Sequence, residues 1–218
     1  LQEEPIAGNA RLSRLIIDTA NASTAAGLGL QSAPFALPTG FSVPLNNTPP
    51  IFPAHDEHGY RSALSRFATG VAVVTAISPQ GLPVGLTVSS FSPVSLHPPL
   101  VLWSLGQSSA LLEIFKKNTH YAINVLREDQ LDIALQFAQR GVDRFTGIRQ
   151  HTGKNGVPLL DAALAWFECK NRSQYPEGDH TIFVGEVESC GYAEGLPLIH
   201  HSRDYYSSAP HSEAGTKK

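Results

Sequence analysis

Between positions 71 and 105, β-rich runs follow one another with only turn residues between them. Residues 71–78 form a β-branched run, closed by the turn Ser78-Pro79-Gln80-Gly81. Residues 84–95 are rich in small, hydroxyl and β-branched side chains and read as a second strand; Pro98-Pro99 breaks it, and residues 100–105 make a third. Further strands are expected at 121–126, 163–170 and 181–192. Ile182, Val184, Glu186 and Glu188 share one side of the last of these. Helical spacing predicts helices over 60–69, ended by Gly70, over 109–118, and over 130–138 with Asp129 as its cap. About six strands sit in pairs joined by turns, not in βαβ alternation. That pattern points to a mostly β fold with α insertions, an antiparallel barrel instead of a doubly wound sheet.

Residues 1–55 have a different character. Pro38, Pro44, Pro49, Pro50 and Pro53 crowd one stretch with Gly40, Asn46 and Asn47, which excludes long helices and central strands there. A short helix is expected over 10–20, carried by Leu12, Leu15 and Ile16. The reading is an irregular N-terminal extension over 1–55, a folded domain over 56–206 and a polar tail over 207–218.

The net charge of −3 gives no basic footprint for nucleic acid. No run of 18 apolar residues suggests a membrane span, and residues 1–30 lack a basic region leading into an apolar one. A cytoplasmic protein is expected, with Cys169 and Cys190 as reduced, packed thiols. No metal-ligand spacing, dinucleotide-binding glycine motif or nucleophile elbow occurs, and no metal site is expected.

Three segments have chemistry to offer. Thr87, Ser89, Ser90, Ser92 and Ser95 place five hydroxyls within nine residues of strand. Buried hydroxyls need partners; neighbouring backbone or a polar ligand could supply them. Ser104, Ser108 and Ser109 precede a helix, where a serine caps the first turn or helps its free N–H groups hold an anion. Lys116 and Lys117 could neutralise a phosphate there or form a solvated face. Gly178-Asp179-His180 is a turn that presents an imidazole at a strand edge, for structure or for ligand.

Several pieces occur in a set order. Residues 61–71 (Arg61 to Val71) lead into Val73-Val74-Thr75, and residues 87–96 (Thr87 to Leu96) into Pro98-Pro99-Leu100-Val101. Ile123-Asn124-Val125-Leu126, Gln136-Phe137-Ala138, Phe167-Glu168-Cys169 and Gly178-Asp179-His180 follow. From about residue 57 to 206, this order resembles the short-chain flavin reductases of two-component flavin-dependent monooxygenases.

The resemblance implies an FMN-binding split barrel, a homodimer with flavin near the subunit interface, and hydride transfer from NADH or NADPH to FMN or FAD. Reduced flavin would then pass to a partner monooxygenase. By the same resemblance Thr87, Val88, Ser89 and Ser90 line the isoalloxazine and ribityl, and Ser95, Ser104, Ser108 and Ser109 hold ribityl and phosphate. His180 places the nicotinamide, and Phe137 or Phe145 covers the ring. Two other uses of the fold stay open: a tightly held FMN that reduces another bound acceptor, and a flavin- or haem-binding module without turnover.

Overall fold

The computed structural model describes Pro49, residues 51–53 and residues 55–207. The helix expected over 10–20, almost all of the 1–55 extension, and the tail beyond Ser207 lie outside the described residues.

In chain order the elements are α1 (Glu57–Leu64), β1 (Thr69–Gly70), β2 (Ala72–Ile77), β3 (Pro83–Val88), β4 (Ser92–Leu96), β5 (Pro99–Gly106), α2 (Leu112–Lys117) and β6 (His120–Val125). Then follow α3 (Leu131–Ala138), β7 (Gln150–Thr152), β8 (Pro158–Leu160), β9 (Ala165–Glu177), β10 (His180–Tyr192), β11 (Leu198–His201) and β12 (Asp204–Ser207). Every strand pairing is antiparallel. Seven strands form the main sheet in the order β3-β2-β6-β9-β10-β5-β4; β1-β11-β12 and β7-β8 form two small ones.

The main sheet cannot be flat. β3 and β4 stand at its two ends, yet only Ser89, Ser90 and Phe91 separate them in the chain. Six strand spacings of about 4.8 Å would hold those ends ~29 Å apart. The linking chain reaches at most ~14 Å. The sheet therefore rolls until its ends approach, and the mostly antiparallel β fold accords with a split barrel.

This arrangement corrects the single strand expected over 84–95. The Ser90 hydroxyl accepts from the Ser104 N–H at 2.9 Å and donates to the Ser104 carbonyl at 3.1 Å. A side chain thus occupies the place of a ladder partner on β5, and the chain leaves one end of the sheet to enter the other.

Other expectations shift for identifiable reasons. α1 starts earlier than expected, because the Asp56 side chain accepts from the Gly59 N–H at 3.1 Å. It ends at Leu64, and Gly70 belongs to β1. Two apolar side chains of the segment read as this helix, Leu64 and Phe67, are exposed, Phe67 at 78%. Asp129 does not cap α3, because Arg127 holds its carboxylate with two bonds of 2.7 Å. Gln130 occupies the cap position, and its side chain accepts from the Arg127 N–H and donates to the Asp161 carbonyl instead. Cys169 is buried, but Cys190 is exposed and not packed; both are free thiols. Among the described residues there are twelve strands, against the about six expected.

The interior has two parts divided by β2. Ala72, Val74 and Ala76 face the barrel core, while Val71 and Val73 face a second cluster under α3. Alternation along the strand sends successive side chains to opposite faces, so the unbroken apolar run reflects burial on both. In the barrel core the Trp103 ring stacks on Phe183 with centroids 4.7 Å apart, and Phe115 and Tyr121 meet Trp103 edge-on. Under α3, Phe137 and Ala134 pack with Val73, Leu126, Leu160 and Leu198. No described helix is long and apolar enough to cross a membrane.

One buried amide ties the layers together. The Asn124 side-chain amide donates to the Val73 carbonyl and to Thr75 Oγ1, both at 3.1 Å, and its oxygen accepts from the Leu160 N–H at 2.9 Å. Thr75 Oγ1 in turn donates to the Pro158 carbonyl. Replacing Asn124 with Ala strands these groups in a dry interior, so Asn124→Ala should lower unfolding free energy by about 3 kcal/mol, measured by urea denaturation. A loss below about 1 kcal/mol would show that the groups find other partners.

Candidate functional site

A cleft of about 610 Å³ opens where β3, the end of β5, the turn leading to α2, the end of α3 and the loop after it converge. Its size lies within the range of small-molecule sites, about 300–1,000 Å³. Val84, Leu86, Leu105 and Phe137 supply apolar lining; Thr87, Ser108 and Ser109 supply hydroxyls; Arg140 supplies a cation. Thr87 and Ala138 also line a smaller recess of about 170 Å³ with Val71, Val88, Ser89, His200 and Tyr205.

The structure thus brings Thr87, Ser108, Ser109, Phe137 and Phe145 to the cleft, and Thr87, Val88 and Ser89 to the recess. Ser90 and Ser104 are bonded to each other and do not line either. On β4, Ser95 Oγ accepts from the N–H of His97 just beyond the strand, and Ser92 Oγ donates to the Pro93 carbonyl. For these last residues the local backbone satisfies the hydroxyl. Thr87 Oγ1 donates to the Ala134 carbonyl at 2.6 Å, which fastens β3 to α3 at the cleft floor. Lys116 pairs with Glu113, and neither Lys116 nor Lys117 lines the cleft.

His180 stands at the rim. It opens β10 directly opposite Gly106, a cleft-lining residue at the end of β5. A Cβ on Gly106 would lie 3.8 Å from His180 Nε2, so the imidazole edge stands directly beside this cleft-lining residue. His180 Nδ1 lies 2.6 Å from Asp179 Oδ1. The bond from His180, reinforced by its charge, holds the Asp179 carboxyl below the usual carboxylate range. The Gln107 N–H donates to the Asp179 carbonyl at 2.8 Å, locking the turn against the end of β5.

The turn after Gly106 has donors to spare. The Ser109 N–H returns to the Gly106 carbonyl and Ser109 Oγ accepts from the Leu111 N–H. The Ser108 and Ala110 N–H groups find no partner among the described residues.

The far wall, residues 139–145, was not singled out in the sequence. The Arg144 guanidinium donates to the Gln139 carbonyl at 2.7 Å and to the Gly85 carbonyl on β3 at 2.6 Å. Partial burial lowers the Arg144 pKa from its usual value. The Asp143 carboxylate accepts from the Phe145 N–H and the Thr146 hydroxyl, and those bonds pull its pKa down. Phe145 then meets Phe137 edge-on at 4.9 Å, with Phe137 fully buried beneath it. The legible signal was Asp143 two residues before Phe145, an Asx turn preceded by Gly141 at a φ of +74°.

Aromatic and aliphatic lining, a glycine gap beside an imidazole, and unpaired N–H donors with a nearby guanidinium suit a flat ring system carrying an anionic end. The residues present therefore fit a flavin nucleotide.

A family model for the flavin reductase like domain matches residues 64–209. The chain belongs to that family. Among its relatives, the FMN reductase (NADH) SmoA of Agrobacterium fabrum is 44% identical over 143 residues, spanning 66% of this chain and 81% of SmoA. The reductase subunit HsaB of a flavin-dependent monooxygenase from Mycobacterium tuberculosis is 32% identical over 158 residues, spanning 71% and 84%. The Streptomyces globisporus NADH:FAD oxidoreductase SgcE6, solved with NAD and FAD fragments, superposes with a TM-score of 0.72 at 32% identity, over 75% of this chain and 99% of that one.

In this flavin reductase-like chain the Asp143 turn makes the cleft wall acid-sensitive. A carboxyl whose folded pKa is depressed adds stability above its unfolded pKa, and that stability is lost as pH falls through the folded value. Asp143→Asn should therefore flatten the decline of melting temperature below about pH 4, followed by circular dichroism. An unchanged acid slope would show that the turn does not depend on the charge.

Proposed function

We propose that this chain is an NAD(P)H:flavin oxidoreductase that supplies reduced flavin to a partner monooxygenase. The observation that carries the reading is the cleft itself: a space of about 610 Å³ lined by Gly106, which pairs with His180, and by Ser108 and Ala110, whose N–H groups have no partner among the described residues. Two relatives are named for NADH and for FMN or FAD.

When bound, the two rings supply hydride transfer between nicotinamide C4 and flavin N5. The protein's part is to bind, orient and exclude water. Phe145, half-buried over Phe137, offers a ring edge to the flat ligand, and Val84 and Leu105 remove water from it. Val88, Ser89 and Thr87 present strand backbone and hydroxyls along its length. Ser108, Ser109 and the Ala110 N–H hold the phosphate end, with Arg140 as countercharge. His180, fixed by Asp179, orients the nicotinamide over Gly106. No general base is needed, because hydride transfer itself moves no proton.

Ser90, Ser95 and Ser104 stabilise the β3–β4–β5 junction that carries these groups, a supporting part in place of direct contact. The open cleft suits a ligand that must leave after reduction. A homodimer is part of the proposal: the exposed Leu64, Phe67 and Leu96 are apolar side chains that a second copy would cover. Residues 1–55 are proposed as an extension to the 56–206 domain, with 207–218 as a tail, in a protein of the cytoplasm.

The test is NADH oxidation by the full chain with added FMN or FAD. Flavin should accelerate NADH loss, and His180→Ala should raise the KM for NADH about tenfold, the effect of one lost hydrogen bond, while the KM for flavin barely moves. No flavin-stimulated NADH loss would overturn the activity. Normal NADH kinetics in His180→Ala would overturn the histidine's role alone.

A further inference from the structure

The recess beyond Thr87 and Ala138 contains an imidazole that hydride transfer does not call upon. Thr69 of β1, His200 of β11 and Tyr205 of β12 are directly opposed across the small sheet. Directly opposed residues share a face, so the three side chains form a row. The His200 and Tyr205 rings lie 5.2 Å apart. Thr69 Oγ1 is buried without a hydrogen-bond partner, and the His200 imidazole, beside Tyr205, has no hydrogen bond or ion pair among the described residues. The neighbouring His201 is placed differently: its Nε2 lies 3.4 Å from Ser202 Oγ and its ring sits near Tyr206.

The recess has two kinds of wall. Val71, Val88 and Ala138 are apolar; Thr87, Ser89 and His200 are polar. Because Thr87 and Ala138 line both spaces, the cleft and the recess adjoin at these residues.

We propose that His200 hydrogen-bonds the pyrimidine edge of the flavin ring system from the Thr87 side, while His180 serves the Gly106 side. The inference rests on the flavin-binding reading above. Polar groups facing a ligand cost free energy unless paired. The pyrimidine edge, with carbonyl acceptors and an N–H donor, pairs with an imidazole and a serine hydroxyl. The methylated benzenoid edge would leave both unpaired. An imidazole can donate or accept, which matches an edge that does both.

The test is binding, separate from turnover. The full chain is titrated into oxidised FMN, and into lumiflavin, which has the ring system without the ribityl phosphate, with fluorescence quenching as readout. His200→Phe keeps the ring shape and should weaken both ligands alike by about tenfold. His200→Gln, which restores a donor and an acceptor, should recover most of the loss, and the KM for NADH at saturating FMN should not change. Equal affinity in wild type and His200→Phe would overturn the assignment. So would His200→Gln as weak as His200→Phe with both melting temperatures lowered, which marks a purely structural residue. Failure of the wild type to quench FMN would overturn the flavin-binding reading itself, a result distinct from wild-type binding that ignores His200.

Discussion

The three-residue link between β3 and β4 governs the molecule. It joins the two ends of a seven-stranded sheet, and so forces the roll that creates an inside. Ser90 makes the junction stable by giving both hydrogen-bonding groups of Ser104 a partner where the ladder stops. The cleft exists because of this junction: β3 leads into it, β5 ends beside it, and the β10 turn meets β5 at Gly106. A continuous ladder from 84 to 95 would have produced a flat edge with no room for a ligand.

Two layers of packing support that geometry. Trp103, Phe183, Phe115 and Tyr121 fill the barrel, while α3 and its partners cover the outer face of β2. Asn124 joins them by tying its own strand, β6, to β2 and β8. The result is a rigid floor under Thr87 and Phe137, from which the hydroxyls and aromatic edges of the cleft project.

Much of this was legible in the residues. The run at 71–78 read as strand because apolar and β-branched residues are uninterrupted, and His180 stood out because Gly178 and Asp179 form a turn before it. The Ser108-Ser109 segment was legible through its position before a helix. Other features left weaker traces. β1, β7, β8, β11 and β12 are too short for a period to emerge, so the sheet carrying His200 and Tyr205 was invisible. Asp129 had the chemistry of a cap, but Arg127 two residues earlier claimed it, a competition no propensity reveals. Arg144 offered no pattern, since its partners, the carbonyls of Gly85 and Gln139, are backbone groups whose proximity only the fold creates.

The cleft is walled unequally. One side is woven into the sheet, but the 139–145 side is joined to β3 through one guanidinium, which bonds the Gly85 carbonyl while holding the Gln139 carbonyl of its own segment. Swinging that side outward breaks a few side-chain bonds and leaves every strand pairing intact. Widening of the slot would therefore not require the barrel to unfold.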